Sequence, residues 1–226
     1  MISKADIILN ELREAGLPEL RIRNKEDSLF WRMLPATWRR NTVTTIGNTI
    51  WVPSENWLTY SSPVRLACTL AHEARHAADW GPKFLAAYLA PQAFLFIAVA
   101  AIWAICAGLY PLSTSIHACL GAGLLASLAP WPSPWRRKAE LRGYVTGAGV
   151  ECELTGEISP ATMEHVGSAL CGVAYWFMTW RATKARRYVV AMYNVVTEMH
   201  RYNGASPLRS DRIVRAAVRG ASRMVE

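Results

Sequence analysis

The sequence predicts an α+β fold that is mostly α-helical, with a small β-hairpin and an inserted transmembrane hairpin of two helices. Helices are indicated by Ser-Pro starts followed by long stretches without a breaker. Residues 42–53 form two β-branched runs around the two-residue turn Gly47-Asn48, which is typical of a β-hairpin. Residues 84–135 contain no Asp, Glu, Lys or Arg, and at about 20 apolar residues per span they suffice for two membrane helices.

The uncharged segment divides the 226-residue chain into three parts. Residues 1–83 form the N-terminal part, residues 84–135 the hydrophobic helical hairpin, and residues 136–226 a helical C-terminal part. Charged residues are 19% of the chain and apolar residues 52%, which departs from an ordinary soluble protein. The net charge of +8 lies mostly in the C-terminal part, with 14 basic and 8 acidic side chains. This balance favours an anionic partner surface there.

The helices of the two outer parts are predicted from their start and stop residues. They are expected at Ala5–Ala15, at Val64–Trp80, after Ser159-Pro160, at Ala182–Tyr202 and after Ser206-Pro207. Ser62 is the predicted N-cap of the second helix, with Pro63 at its first position. The last helix carries arginines near helical spacing, at Arg212, Arg215, Arg219 and Arg223. Such a helix is more typical of a solvated or lipid-facing surface than of nucleic-acid binding.

The uncharged segment is interpreted as two spans, Phe84–Tyr110 and Leu112–Ala129, joined by a turn at residues 111–115. Lys83 precedes the segment and residues 136–138 follow it with three basic side chains. Both ends are therefore expected on the cytoplasmic side, with a lipid bilayer as the partner. The alternative is a pair of helices buried in protein, within a homo-oligomer or a larger assembly.

The stretch His72-Glu73-Ala74-Arg75-His76 is the strongest chemical signal in the chain. Two histidines four residues apart lie on one face of a helix, so both imidazoles can bind one Zn²⁺ ion. Glu73 then lies beside the open position, where its carboxylate can take a proton from metal-bound water. Arg75 departs from the usual pattern, in which this position is apolar or neutral. The alternative is a solvated helix with two unrelated histidines.

A third ligand is needed, because zinc sites of this kind use three protein ligands. Glu140 is the leading candidate: it follows the hairpin directly, and Tyr144 lies four residues later on the same helix face. The alternative ligands, in a stretch interrupted by glycines, are Glu151, Glu153 and Glu157. Asp79 is expected to contact a metal ligand or to lie at the helix end, and not to bind the metal itself. The remaining histidines, expected to be structural, are His117, His165 and His200.

Several segments together resemble the small HExxH zinc metallopeptidases of bacteria and phages. These segments are residues 44–53, HEARH, the apolar stretch, residues 140–144 and the aromatic residues 171–180. The order of HExxH, apolar spans and glutamate is also similar to the integral-membrane gluzincin proteases. The resemblance implies a zincin-like frame, with His72, His76 and Glu140 as ligands and Glu73 as the base.

The predicted function is a membrane-associated zinc-dependent metallopeptidase that acts on a peptide or protein substrate. The strand Thr49–Val52 is expected to align an extended substrate, and Tyr144 either assists the oxyanion or packs. The alternative is a non-catalytic structural membrane protein or phage virion protein that retains the zincin-like frame. Nucleic-acid binding is disfavoured. The N-terminus lacks a signal-peptide pattern and the five cysteines lack C-x-x-C spacing, so we expect a catalytic part that faces the cytoplasm.

Overall fold

The computed structural model describes residues 3–34, 36–40, 42–109, 113–127, 134–172, 182–201 and 211–224. These residues are mostly helical, with a small three-stranded sheet. The helices are α1 Lys4–Glu14, α2 Leu29–Arg32, α3 Ala36–Arg40, α4 Glu55–Tyr60, α5 Pro63–Asp79, α6 Pro82–Leu109, α7 Thr114–Ser127, α8 Pro134–Thr155, α9 Pro160–Cys171, α10 Ala182–Arg201 and α11 Arg212–Arg223. The strands are β1 Arg21–Asn24, β2 Thr44–Ile46 and β3 Thr49–Val52, and Lys25–Asp27 form one 3-10 turn.

The helix starts predicted at Ser62-Pro63 and at Ser159-Pro160 are confirmed. Ser62 Oγ accepts a hydrogen bond from the backbone N–H of Arg65 at the start of α5, and Ser159 caps α9 in the same way. Ser206-Pro207 and the residues up to 210 lie outside the described residues, so the helix start predicted there stays a prediction. The last described helix is α11, which begins at Arg212 after its N-cap Asp211. Tyr202, the predicted end of α10, also lies outside the described residues.

The sheet contains the predicted hairpin and one strand that was not predicted. β2 and β3 are antiparallel around the Gly47-Asn48 turn, where Gly47 has a φ of +62°. β1 pairs with β3 in parallel, so the strand order is β1-β3-β2. The prediction that Thr49–Val52 aligns a substrate by strand addition is wrong, because β3 is the central strand and its neighbours occupy both edges.

Helices α5 and α8 pack antiparallel through small residues at the centre of the molecule. Ala67, Ala71 and Ala74 of α5 are fully buried. On α8, a Cβ at Gly147 would lie 3.0 Å from the carbonyl oxygen of Cys68. Small side chains at these positions let the two helix backbones approach closely. The candidate site lies in this contact.

Helix α11 packs on α1, and two of its arginines, although exposed to solvent, pair with a buried carboxylate of α1. A Cβ at Gly220 would lie 2.8 Å from Ile8 Cα, so glycine is what permits this contact. Arg219 Nε donates to Glu11 Oε2 at 2.8 Å, and Arg223 also pairs with Glu11, a residue that is only 2% exposed. Two of the four arginines in the basic row therefore neutralise one buried carboxylate.

The predicted transmembrane hairpin is wrong. α6 and α7 do form an antiparallel pair, in which Trp103 Nε1 donates to His117 Nδ1 at 3.0 Å. Within the described residues, however, no helix is both long enough and apolar enough to cross a membrane. The described part of α7 has 14 residues, about 21 Å of helix, against about 30 Å of bilayer core. The predicted turn and the end of the second span lie partly outside the described residues.

Candidate metal centre

Helix α5 holds both histidines of the HEARH stretch on the face that packs against α8. The helix continues without a break from Pro63 to Asp79, so His72 and His76 lie one turn apart. Both are buried, with 9% and 7% of their surface exposed. Their Nε2 atoms are 3.0 Å apart. The two imidazoles therefore offer a nitrogen each to the same small volume.

Glu140 of α8 brings a carboxylate oxygen to this volume. Its Oε2 atom lies 3.5 Å from His72 Nε2 and 3.6 Å from His76 Nε2. Inside the triangle of these three atoms there is a point about 2.0 Å from each, which is the length of zinc–imidazole and zinc–carboxylate bonds. The structure thus brings His72, His76 and Glu140 together as a group that could hold a metal ion.

A glycine on α8 makes room for the first histidine. A Cβ at Gly143 would lie 2.8 Å from His72 Cε1 and 2.9 Å from each ring nitrogen. Real Cβ atoms do not approach other atoms so closely, so a larger residue would displace the imidazole. Gly143 and Gly147 are one turn apart and face α5. Their four-residue spacing is the sequence signal for this contact.

The charges of the cluster determine how the donors are protonated. Burial lowers the pKa of His76, but the Glu140 charge and hydrogen bond outweigh it and raise that pKa to about 9. Burial opposes ionisation of Glu140, yet the charge of His76 and hydrogen bonds from both imidazoles lower the pKa of Glu140 far below its ordinary value. Glu140 is therefore a carboxylate, which is the form that binds metal.

Glu73 lies next to the donor group without belonging to it. It is 6% exposed and lines the same cavity as His72. Its Oε2 atom accepts a hydrogen bond of 2.7 Å from Thr45 Oγ1 on strand β2. This contact fixes the carboxylate beside the centre and ties the sheet to α5. Glu73 is predicted from the HEARH motif, whereas no motif in the sequence indicates Thr45.

A buried lysine holds strand β2 in place. Lys25 is fully buried, and its Nζ donates to Thr42 O at 2.7 Å and to Thr44 Oγ1 at 3.0 Å. The ammonium also lies 4.2 Å from the centre of the Trp31 ring, a cation–π contact. Burial lowers the pKa of Lys25 to about 8, and the charge of Glu73 opposes this shift. No motif in the sequence indicated this role.

Tyr144 packs against the first histidine at the edge of a cavity of about 530 Å³. Its ring centre lies 4.6 Å from that of His72, with the planes at 66°. On its other side Tyr144 faces His165, at 6.3 Å between ring centres. Tyr144 is 7% exposed and belongs to the hydrophobic core. Its observed contacts are those of a packing residue that orients the His72 ring.

Arg75, the departure from the usual pattern, makes contacts that hold helices together. Its Nε donates to Thr146 Oγ1 at 3.2 Å, and its guanidinium pairs with Asp211, the N-cap of α11. Arg75 thus links α5 to α8 and α11. Asp79 accepts a 2.6 Å hydrogen bond from Arg142, and its charge contributes to raising the pKa of His76.

The three alternative glutamates lie elsewhere. Glu151 faces the cavity, Glu153 Oε1 lies 3.1 Å from His200 Nδ1, and Glu157 is exposed beyond α8. The glycines near the first two do not interrupt the helix, since α8 continues to Thr155. The contact between Glu153 and His200 joins α10 to α8, which is a structural role for His200. His117 lies in the α6–α7 pair.

No protein-family model matches the chain, and no curated protein or solved structure matches it.

Proposed function

We propose that this chain is a zinc-dependent metallopeptidase that hydrolyses peptide bonds. The observation that carries the proposal is the convergence of donor atoms from His72, His76 and Glu140 on one point, with Glu73 beside it. Two imidazoles and one carboxylate suit zinc, and three protein ligands leave one coordination position for a reactant. The cavity next to the donors gives a substrate access to that position.

The chemistry divides between the ion and Glu73. Zinc bound by these ligands would lower the pKa of water to about 7 and polarise the scissile carbonyl. The Glu73 carboxylate accepts the proton of the attacking water and passes it to the nitrogen of the leaving amine. Thr45 donates to Oε2 of Glu73, which holds the carboxylate in position and leaves Oε1 for the proton.

Strand β2 is the element that suits an extended substrate. Within the described residues, β2 pairs with β3 on one side and has no strand on the other. Thr45 of this strand touches the catalytic Glu73. A peptide that adds to the outer edge by backbone hydrogen bonds would pass beside the donor group. Tyr144 acts here as a positioning residue through its contact with His72.

The test is hydrolysis of a mixture of fluorogenic peptides by the zinc-loaded full chain. Glu73→Gln keeps the shape of the side chain and removes the base, so we expect hydrolysis to slow by about 10²-fold or more with zinc content unchanged. Glu198→Gln, an exposed position on α10, is the matched control and should hydrolyse like the unmodified chain. Equal rates for Glu73→Gln and the control would leave the non-catalytic alternative, a structural virion or scaffold protein.

A further inference from the structure

The cavity beside the metal centre extends well beyond the donor atoms. Because α5 and α8 are antiparallel, it continues toward the start of α5 and the end of α8. It passes Cys68, one turn from His72, and reaches Glu151, about 10 Å along α8 from Tyr144. The start of α9 closes the far side with Thr162. A volume of about 530 Å³ lies in the range of pockets that enclose a ligand group.

Glu151 lines this cavity, and one of its carboxylate oxygens is buried without a hydrogen-bond partner among the described residues. The residue is only 9% exposed. Its Oε1 accepts a long hydrogen bond of 3.4 Å from the backbone N–H of Ser159, while Oε2 has no hydrogen-bond partner among the described residues. None of the described basic side chains forms an ion pair with it. A buried carboxylate in this state is costly unless a donor or a cation reaches it.

The groups around Glu151 leave its negative charge uncompensated. Burial, and after it the Glu151 charge, raises the pKa of the Cys68 thiol to about 12, so the thiol is neutral. Burial is the main cause that lowers the pKa of His165, so this imidazole is neutral near pH 7. Arg65 lines the same cavity but is exposed to solvent. The inner end of the cavity is therefore electronegative.

We propose that this cavity is a specificity subsite for a cationic side chain, and that Glu151 is its specificity-determining residue. The ligand class is a peptide with lysine or arginine, whose charge would meet the Glu151 carboxylate while its backbone lies at the donor group. The inference rests on the proposed peptidase function for its substrate. Binding of the cationic group depends on Glu151 alone and can be measured without turnover.

The experiment measures binding of paired peptides to the zinc-loaded full chain carrying Glu73→Gln. Six acetylated and amidated hexa-alanine peptides carry one lysine each, at successive positions, and six matched peptides carry norleucine instead. At one position at least, we expect lysine to bind about 10-fold tighter than norleucine, because a hydrogen bond to a charged partner is involved. Adding Glu151→Gln should reduce the ratio to about one, and Glu151→Asp should restore part of it.

The outcomes separate this subsite from the peptidase function. A ratio of about one at every position, absence of measurable lysine binding, or a ratio unchanged by Glu151→Gln would overturn the subsite. Hydrolysis by the unmodified chain is measured in parallel. A lysine preference that depends on Glu151 in a chain that hydrolyses nothing would support the subsite and reject the peptidase. Hydrolysis without a lysine preference would support the peptidase function and reject the subsite. Thermal unfolding confirms that the Glu151 variants fold.

Discussion

Gly143 and His72 are in such close contact that no side chain fits between their helices. The ring atoms of His72 lie 2.8 to 2.9 Å from where a Cβ of residue 143 would stand. Three residues earlier on α8, Glu140 approaches the same imidazole at its Nε2 atom. The helix that supplies the carboxylate therefore also determines where the first imidazole can lie, and the donor geometry depends on the distance between α5 and α8.

Gly143→Ala should move the His72 ring and weaken zinc binding by about 10-fold or more, as other changes that displace a ligand do. Equilibrium dialysis against zinc measures this. Gly121→Ala on α7 is the control, because nothing lies within 4 Å of a Cβ there, and alanine should raise helix stability by about 0.5–1 kcal/mol. Zinc affinity that is unchanged in Gly143→Ala would show that the helix contact does not set the donor geometry.

Thr45→Val should slow hydrolysis without releasing zinc. The substitution keeps the shape and removes the hydroxyl that donates to Glu73 Oε2 at 2.7 Å. We expect kcat/KM to fall by about 10-fold, because a hydrogen bond to a charged group is lost. Thr45→Ser retains a hydroxyl and should recover most of the rate. If valine and serine variants hydrolyse equally well, Thr45 does not position Glu73.

Lys25 should make stability depend on pH in the alkaline range. Burial lowers its pKa from 10.5 to about 8. Between these two pH values the unfolded chain binds a proton at Lys25 that the folded chain lacks, so folding stability rises with pH in this range. Below about pH 8 the lysine is protonated in both states and does not make stability depend on pH. The free energy of unfolding in urea should therefore rise in the unmodified chain relative to Lys25→Met as pH increases from about 8 to about 10. A difference in the free energy of unfolding that does not change with pH would contradict the lowered pKa of Lys25.

Arg75→Met should destabilise the fold and leave the metal centre intact. Arg75 joins α5 to Thr146 and to Asp211, and both its partners would lose a charged donor. We expect the free energy of unfolding to fall by about 1–3 kcal/mol, as measured in urea, with zinc content and hydrolysis retained. Zinc loss in a folded Arg75→Met chain would instead give this residue a part in the site.

The candidate site was predictable because its information is local in the sequence. The four-residue spacing of His72 and His76 places them on one helix face. The uncharged segment folds as an antiparallel helix pair, so α8 begins near the end of α5. Glu140 then follows at the start of the next helix. Caps such as Ser62 are equally local, which is why helix starts were predictable as well.

The remaining contacts depend on tertiary packing that no local pattern encodes. Strand β1 has one apolar residue among four, and its pairing is set by β3. The Lys25 and Thr45 contacts join segments 17 and 28 residues apart. The transmembrane prediction failed because the absence of charged residues was taken as the sign of a membrane span. Among the described residues, no helix combines the length and the apolar character that a span needs.

Zinc binding by Glu140 and Glu151 variants tests the central claim most directly. Both residues are buried glutamates of α8, but only Glu140 lies within ligand reach of the imidazoles. Equilibrium dialysis should show one zinc per unmodified chain and one per Glu151→Gln chain, and affinity lower by about 10²-fold in Glu140→Ala. Zinc binding that survives Glu140→Ala undiminished, or that is lost in Glu151→Gln, would contradict the assignment of His72, His76 and Glu140 as the metal centre.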